Sequence, residues 1–526
     1  VDPITRRALL QRGIAASPAI LAAGALPATA FARPARRRPA APLPTAREVR
    51  RQVQDMVELG PRLTATSPHL QFIDSLDEGF REAGLTVARD PQPFQQWLAQ
   101  DFTLDVLTGP GAGRVPVASY YTYSGKTTPQ GVTGDMVYAG PIPAPPSSPD
   151  GLQAYLEALP TAVQALLAAV PGGVQGRIVL MDAPIAPLTV GTLDGLLTYR
   201  HDPNNTIHET DDYKRAWTTL ASLPQLDPFK AAGAAGAVFA LDASPANARG
   251  QYTPFIHGYQ DFPALIVDQP TGAKLRLQAV GVPKARLVLT ASLVNTKSDN
   301  LVATLPGATD EVLIVNTHTD GQNAFEENAG IASVALAKHF AAMPKSARQR
   351  TLVFVSATGH FSGGGQPGTQ GFIDKHPDVI ARSAAHVTIE HFGSQEWNDD
   401  GSGYHYTGQV EVGAIFHSQT PIIQPAIESL QATNLVRSEL LRPAAVAFFG
   451  VGSPLHQKGV PSVCFIAGPN YLLALDGDRG HIDKLDAARF AKEIRWTADL
   501  LKRLDKIPAA QLAAGDSAVL RPGVAS

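Results

Sequence analysis

Apolar residues recur at helical spacing from Ala46 to Leu59, where A-R-E-V-R-R-Q-V-Q-D-M-V-E-L sets Val49, Val53, Met56 and Val57 on one face. A second helix is expected from His69 to Ala83, closed by Gly84. The L-G-P-R-L-T-A-T-S-P-H between them reads as loop by its Gly, Pro and Thr content. Phe102 to Leu107 alternates apolar and polar residues as a half-buried strand does.

The texture changes from about Gly109 to Lys297. Short β-branched runs, Arg177 to Asp182 and Ala237 to Ala240, stand between Pro-rich and Gly-rich turns. F-K-A-A-G-A-A-G-A-V, Phe229 to Val238, reads as a small-residue helix running into a strand, and Phe262 to Val267 as another strand. From Ser298 onward strands alternate with helices. Val312 to Val315, Thr351 to Ser356, His386 to Ile389 and Ser462 to Ile466 are the strands; Asn328 to Met343 and Lys484 to Leu504 are the clearest helices. That alternation predicts an α/β fold, a mostly parallel sheet with helices on both faces.

At roughly 100 to 200 residues per domain, 526 residues predict more than one domain. The hydrophobic share of 44% and charged share of 17% are those of a folded chain, which excludes collagen, coiled coil and disorder. Lys plus Arg number 44 against 47 Asp plus Glu, a net charge of −3 that gives no global attraction for nucleic acid or anionic lipid. The single cysteine, Cys464, makes no intramolecular disulfide and no thiolate cluster. Any metal falls to His, Asp and Glu.

T-R-R-A-L-L-Q, Thr5 to Gln11, followed by an apolar run from Ile14 to Leu26 and Ala30-Phe31-Ala32, looks like a twin-arginine secretion signal cleaved after Ala32. The run is shorter than the roughly 20 residues that span a bilayer, which argues against a membrane anchor. The expected organisation is a signal over 1–32, a flexible leader over 33–45, the first part of a catalytic domain over 46–108, an insert over 109–297, the main part over 298–508 and a peripheral tail over 509–526.

Three strands of the last part end in groups that bind metals. Val312 to Val315 leads to Asn316-Thr317-His318-Thr319-Asp320 and then Phe325-Glu326-Glu327-Asn328; Thr351 to Ser356 leads to Ala357-Thr358-Gly359-His360; His386 to Ile389 leads to Glu390-His391. In open α/β sheets a ligand sits beyond the carboxyl ends of the strands, so these groups are expected to meet. Oxygen and imidazole donors without thiolate suit zinc.

The order H-x-D, an acidic motif before Ala-Gly, a strand-end motif, a further acid and a late His resembles the co-catalytic di-zinc aminopeptidase family, over about Ala46 to Leu504 and including L-G-P-R-L-T-A-T-S. Gly176 to Leu180 and Ala232 to Ala237 resemble a protease-associated domain, the β-rich insert of many such exopeptidases. The resemblance implies one or two zinc ions. His318, Glu326 and Glu390 would hold the first; Glu326, His360 and His481 the second. Asp320 would orient His318. His456 competes with His481 for the late position, and His391 and His405 read by default as structural or rim residues.

Two departures from the family pattern stand out. Glu326 and Glu390 occupy positions that are often Asp, and Gly359 falls where the family carries its general base. Glu327, His391 and Glu396 are candidates to carry that proton, none assigned by the resemblance. The implied activity is a secreted metallohydrolase cleaving an amide bond at the N-terminus of a peptide, with no nucleic-acid or membrane partner after signal removal. The rivals are a non-catalytic binding member of the fold and a single-zinc enzyme resembling the glutaminyl cyclases.

Overall fold

Val312–His318, Thr351–Ala357, Ser383–Ile389 and Ser462–Ala467 are buried almost throughout, and this is why they read as unbroken apolar runs. They form the parallel centre of one large sheet. The computed structural model describes residues 41–148, 151–221, 223–254, 257–364, 366–400, 403–444, 448–475 and 480–514. The twin-arginine segment and most of the leader and tail lie outside these residues.

Ile314, Val353 and Val355 pack on one side against Phe372 and Leu455. Leu313, Val315 and Phe354 face a larger core with Val53, Phe72, Phe80 and Leu500. The helices on that side are Ala46–Val57, capped by a reciprocal Thr45–Glu48 box, Ser67–Glu82, Ala329–Ala341 and Ala487–Leu504. Asp486 caps the last of these through the amides of Ala488 and Arg489.

The sheet is mixed beyond its centre. Lys284–Leu305 runs antiparallel beside Thr351–Ala357, and Gly413–His417 antiparallel beside Ser462–Ala467. The first of these is the return strand from the insert. It pairs along nearly its whole length with Thr86–Val106, from Thr86↔Thr304 to Val106↔Ala285, so a two-stranded ribbon carries the chain out and back.

The insert is hydrogen-bonded in series with the main sheet, because Val132–Pro141 pairs with the outer end of that return strand. Within residues 109–297 the strands Val132–Pro141, Ile178–Ala183, Gly236–Leu241 and Ala264–Val267 are parallel, with Leu152–Ala168 and Gln269–Ala279 as helices. A separate core of Val179, Met181, Phe229, Phe239 and Phe262 fills it. Part of it also crosses to the far edge of the main sheet, where Leu197–His201 pairs antiparallel with Ser438–Leu441.

Glu493 joins the last long helix to the loop that follows Ser383–Ile389. It accepts from Gly393 N at 2.7 Å and from Arg489 Nε at 2.6 Å. Burial pushes its carboxyl up to about 7, against the opposing pull of Arg489. A carboxyl raised on folding contributes stability that is full below pH about 4.5 and lost as pH rises through about 7. Chemical denaturation from pH 5 to pH 8 is expected to show the wild type losing on the order of 2 to 3 kcal/mol more than Glu493→Gln. Equal slopes for the two proteins would refute the assignment.

Candidate metal centre

His318 is the last residue of its strand and is fully buried. Its Nδ1 lies 2.9 Å from the main-chain oxygen of Asp320. A carbonyl has no hydrogen to give, so Nδ1 is the donor and the Nε2 lone pair faces away from it. His360 is held the same way, with Nδ1 at 2.8 Å from the Gln366 side-chain oxygen, and His391 with Nδ1 at 2.8 Å from the carbonyl of Ala467. The His318 ring centre is 4.3 Å from that of His360 and 5.9 Å from that of His391.

The carboxylates come to the same place. His318 Nε2 is 3.4 Å from Glu326 Oε2 and 3.7 Å from Glu390 Oε2. Two groups of donor atoms are close enough to share an ion: His318, Glu326 and His391, and His318, His360 and Glu390. His318 Nε2 and Glu390 Oε2 are buried with no hydrogen-bond partner among the described residues. Leaving buried polar atoms unsatisfied costs about 1 to 3 kcal/mol each, so their convergence fits a cation. Zinc is matched by imidazole and carboxylate donors without thiolate.

Burial, with His360 and His391 adding to it, drives the His318 imidazole well below its usual range and keeps it neutral, as a ligand must be. Burial raises the Glu390 carboxyl. For His391 burial pulls downward, but the Glu326 carboxylate at 2.8 Å from Nε2, with Glu390 and the Ala467 carbonyl, more than offsets it and raises the imidazole. Glu390 is positioned by the Val451 amide on Oε1 at 2.9 Å. Gly450 sits so close that a Cβ there would come within 2.1 Å of Oε1.

Several expected roles take another form. The group that orients His318 is the main-chain oxygen of Asp320, not its carboxylate. The carboxylate Oδ2 accepts from Thr64 Oγ1 and from Phe361 N at 2.9 Å, tying together the first loop and the loop that bears His360. A carbonyl two residues on already occupies the Nδ1 direction, which leaves the carboxylate to its neighbours. His481 belongs to neither group; it stands beside Tyr471, with ring centres 5.9 Å apart. His456 stacks on Phe448, 4.2 Å between ring centres, and is likewise outside. His405 bonds within its own hairpin, at 3.1 Å from Gly403 O.

Of the three candidates for the proton, two are engaged elsewhere. Glu327 forms an ion pair with Arg62, both fully buried, and Arg62 also donates to the carbonyls of Met56, Gly60 and Asn323. Glu396 is bound by Arg437 at 2.9 Å and by Thr407 at 2.8 Å. Each of these carboxylates is thus held by a guanidinium, and neither belongs to the donor groups around His318. His391 remains. Its left-handed backbone, φ 62°, is costly for a residue with a Cβ and recurs where function holds it.

Arg62 was not singled out by the sequence pattern; its signal is the arginine inside L-G-P-R-L-T, in a loop that the fold buries. Gln366 and Ala467, which set two of the three ring tautomers, carry no sequence signal.

No family model matches this chain, and no curated protein matches it. Solved structures share its fold. BSAP, a zinc aminopeptidase from Bacillus subtilis, superposes with a TM-score of 0.58 at 14% identity, over 90% of this chain and 98% of that one. A peptidase M28 precursor from Shewanella amazonensis gives 0.58 at 17%, over 88% and 96%. An aminopeptidase from an Aneurinibacillus strain gives 0.54 at 15%, over 88% and 93%.

The buried ion pair supplies a stability test. Arg62→Met leaves the Glu327 carboxylate buried and unpaired and is expected to cost about 3 to 5 kcal/mol. Arg62→Met combined with Glu327→Leu is expected to recover at least half of that. A urea series on the three proteins decides it; a double variant no more stable than the single one would contradict the pairing.

Proposed function

We propose that this chain is a zinc-dependent hydrolase that cleaves an amide bond, acting as an aminopeptidase on the N-terminal residue of peptides. The observation that carries the reading is the convergence of three buried imidazoles, each committed at Nδ1 to an oxygen, on two buried carboxylates. The shared fold of the zinc aminopeptidases supports it. The pattern of residues 5–32 supports export by the twin-arginine route, and no helix among the described residues is long and apolar enough to cross a membrane.

His318 is common to both donor groups, and with Nδ1 engaged it has one lone pair for one ion. The two unpartnered atoms, His318 Nε2 and Glu390 Oε2, belong together to the group that includes His360, whereas His391 and Glu326 satisfy each other at 2.8 Å through one proton. We therefore assign His318, His360 and Glu390 as zinc ligands, two imidazoles and a carboxylate. That set is typical of a catalytic site with an open position. Bound there, zinc supplies Lewis-acid polarisation of the scissile carbonyl and acidifies water.

The chain's own residues supply the proton transfer. The Glu326–His391 pair holds a proton between Glu326 Oε2 and His391 Nε2. It takes over the base position that Gly359 leaves without a side chain: Glu326 accepts the proton of the attacking water, and His391 returns one to the departing amine. A two-ion centre bridged by Glu326 is the second reading, favoured by the alternative grouping of His318, Glu326 and His391.

The two readings part on stoichiometry and on His391. Metal analysis of the purified protein is expected to give one zinc per chain, and chelation is expected to abolish turnover of aminoacyl anilides with recovery on zinc return. His391→Ala is expected to retain zinc while lowering kcat about 10² to 10⁴-fold, whereas His360→Ala loses the zinc. Two zinc per chain, or loss of zinc in His391→Ala, would establish the bridged centre instead. No turnover by zinc-loaded protein over a broad panel of aminoacyl amides and dipeptides would refute the enzyme reading.

A further inference from the structure

At the end of the sheet opposite the donor cluster, a cavity of about 150 Å³ lies between two helices and the start of a strand. Phe340 and Met343 come from the end of Ala329–Ala341 and the loop after it, Leu501 and Lys502 from the last turn of Ala487–Leu504, and Leu352 from the start of Thr351–Ala357. The other end of that strand leads to His360, so the cavity is no part of the donor cluster.

Its walls combine hydrocarbon with cations. Arg348, Arg350, Lys502 and Lys506 line it together with one carboxylate, Asp505. Both Asp505 oxygens accept main-chain amides, those of Gln349 and Arg350, at 2.8 Å. Among the described residues Arg350 alone of the four cations has an ion-pair partner, Glu311 at 2.9 Å. With Arg350 matched by Glu311 and one further charge offset by Asp505, two positive charges are left over.

Arg348 is only 7% exposed, and carbonyls rather than a carboxylate fix it. One terminal nitrogen donates to Phe340 O at 2.7 Å and to Met343 O, the other to Pro306 O at 3.2 Å. Those bonds complete the carboxyl end of a helix, where a cation is favoured, and leave Nε buried without a hydrogen-bond partner among the described residues. A buried donor left unmet is costly, and more so when it is charged. Burial pulls the Lys502 ammonium below its usual range against Asp499, and the Arg348 guanidinium likewise against Asp505.

We propose that this cavity binds a small apolar carboxylate, one oxygen accepting from Arg348 Nε and the other facing the Lys502 ammonium, with an aromatic or branched hydrocarbon body against Phe340, Met343, Leu352 and Leu501. A cavity of about 150 Å³ with apolar walls takes up benzene, which sets the size of that body. The excess of positive charge disfavours a free amino acid, whose ammonium would meet cations and find Asp505 already committed. The inference stands apart from the aminopeptidase reading and does not depend on it.

The test is run on the full chain with 4-methylpentanoate, its neutral isostere 4-methylpentanamide, its amino derivative leucine, and acetate. The readout is the methyl spectrum of methionine-labelled protein, because one of the four methionines, Met343, lines the cavity. Met343→Leu assigns its signal. 4-Methylpentanoate is expected to shift that signal with a Kd of about 1 mM or tighter, the scale for a ligand of about eight heavy atoms. The amide, leucine and acetate are each expected to bind at least about tenfold more weakly. Lys502 is only half-buried, and Lys502→Met is expected to weaken 4-methylpentanoate at least about tenfold while leaving the amide within about twofold. Equal midpoints for acid and amide would reduce the cavity to an apolar void, and equal midpoints for the acid and acetate to a general anion site. Either result, like a Met343 signal that does not move or an affinity unchanged in Lys502→Met, would overturn the proposal.

Discussion

Three imidazoles with their Nδ1 hydrogens committed to oxygen acceptors set the terms for everything around them. Once Asp320 O, the Gln366 side chain and Ala467 O have taken those hydrogens, three Nε2 atoms are left to point inward at Glu326 and Glu390. An acceptor facing an acceptor inside a protein is tolerable only with a proton or a cation between them. One of the resulting contacts, His391 with Glu326, is short enough to be closed by a proton. The His318–Glu390 contact, at 3.7 Å, is not, and this difference underlies the proposed division into a proton-holding pair and metal ligands.

The fold holds those acceptors in place with buried amides and ions. Asn323 donates to the carbonyls of Tyr471, Leu472 and Ala474, and Asn328 both donates to Phe392 O and accepts from Phe392 N. The loop that carries Glu326 is thereby fastened to the loops after two other strands. Arg62 adds the carbonyls of the first loop, and its charge is met by Glu327. From the insert, Tyr123 donates to the carbonyl of Phe361 at 3.2 Å and Tyr252 packs on the Phe361 ring, beside His360. Trp217 grips Gly468 on the opposite flank. Residues of the 109–297 stretch therefore make contacts on both flanks of the donor cluster.

What could be read from the sequence was whatever is encoded locally. Fully buried parallel strands declare themselves as short β-branched runs, and His318, His360 and Glu390 stand at or just past the ends of three of them, where open α/β sheets bind their ligands. Thr86–Val106 was legible only in its last residues. Its earlier part, with Pro91, Pro93 and four glutamines, is a ribbon stabilised by pairing with a partner some 200 positions away rather than by its own pattern. The crossing of Leu197–His201 to the far sheet edge has no local signature either. The grouping of His391 with Glu326, in place of His481, depends on a left-handed turn after Ile389 that the residues around it do not announce.

That turn has a counterpart at position 359, where no carboxylate stands. Gly359 has φ +80° and Pro367 Cγ would lie 3.2 Å from a Cβ there, so the backbone has settled into a form that a glutamate would adopt only with strain. At His391 the same left-handed region is occupied by a residue that has a Cβ, and the cost of order 1 to 3 kcal/mol is offset locally by the bond to Ala467 and the charge of Glu326. Strain is therefore absent where the side chain is absent and present where an imidazole is delivered. Relaxing His391 to an ordinary conformation would give up the bond to Ala467 as well as the contact with Glu326. The two strand ends thus share the left-handed backbone but differ in what it carries: a glycine after Thr351–Ala357 and an imidazole after Ser383–Ile389.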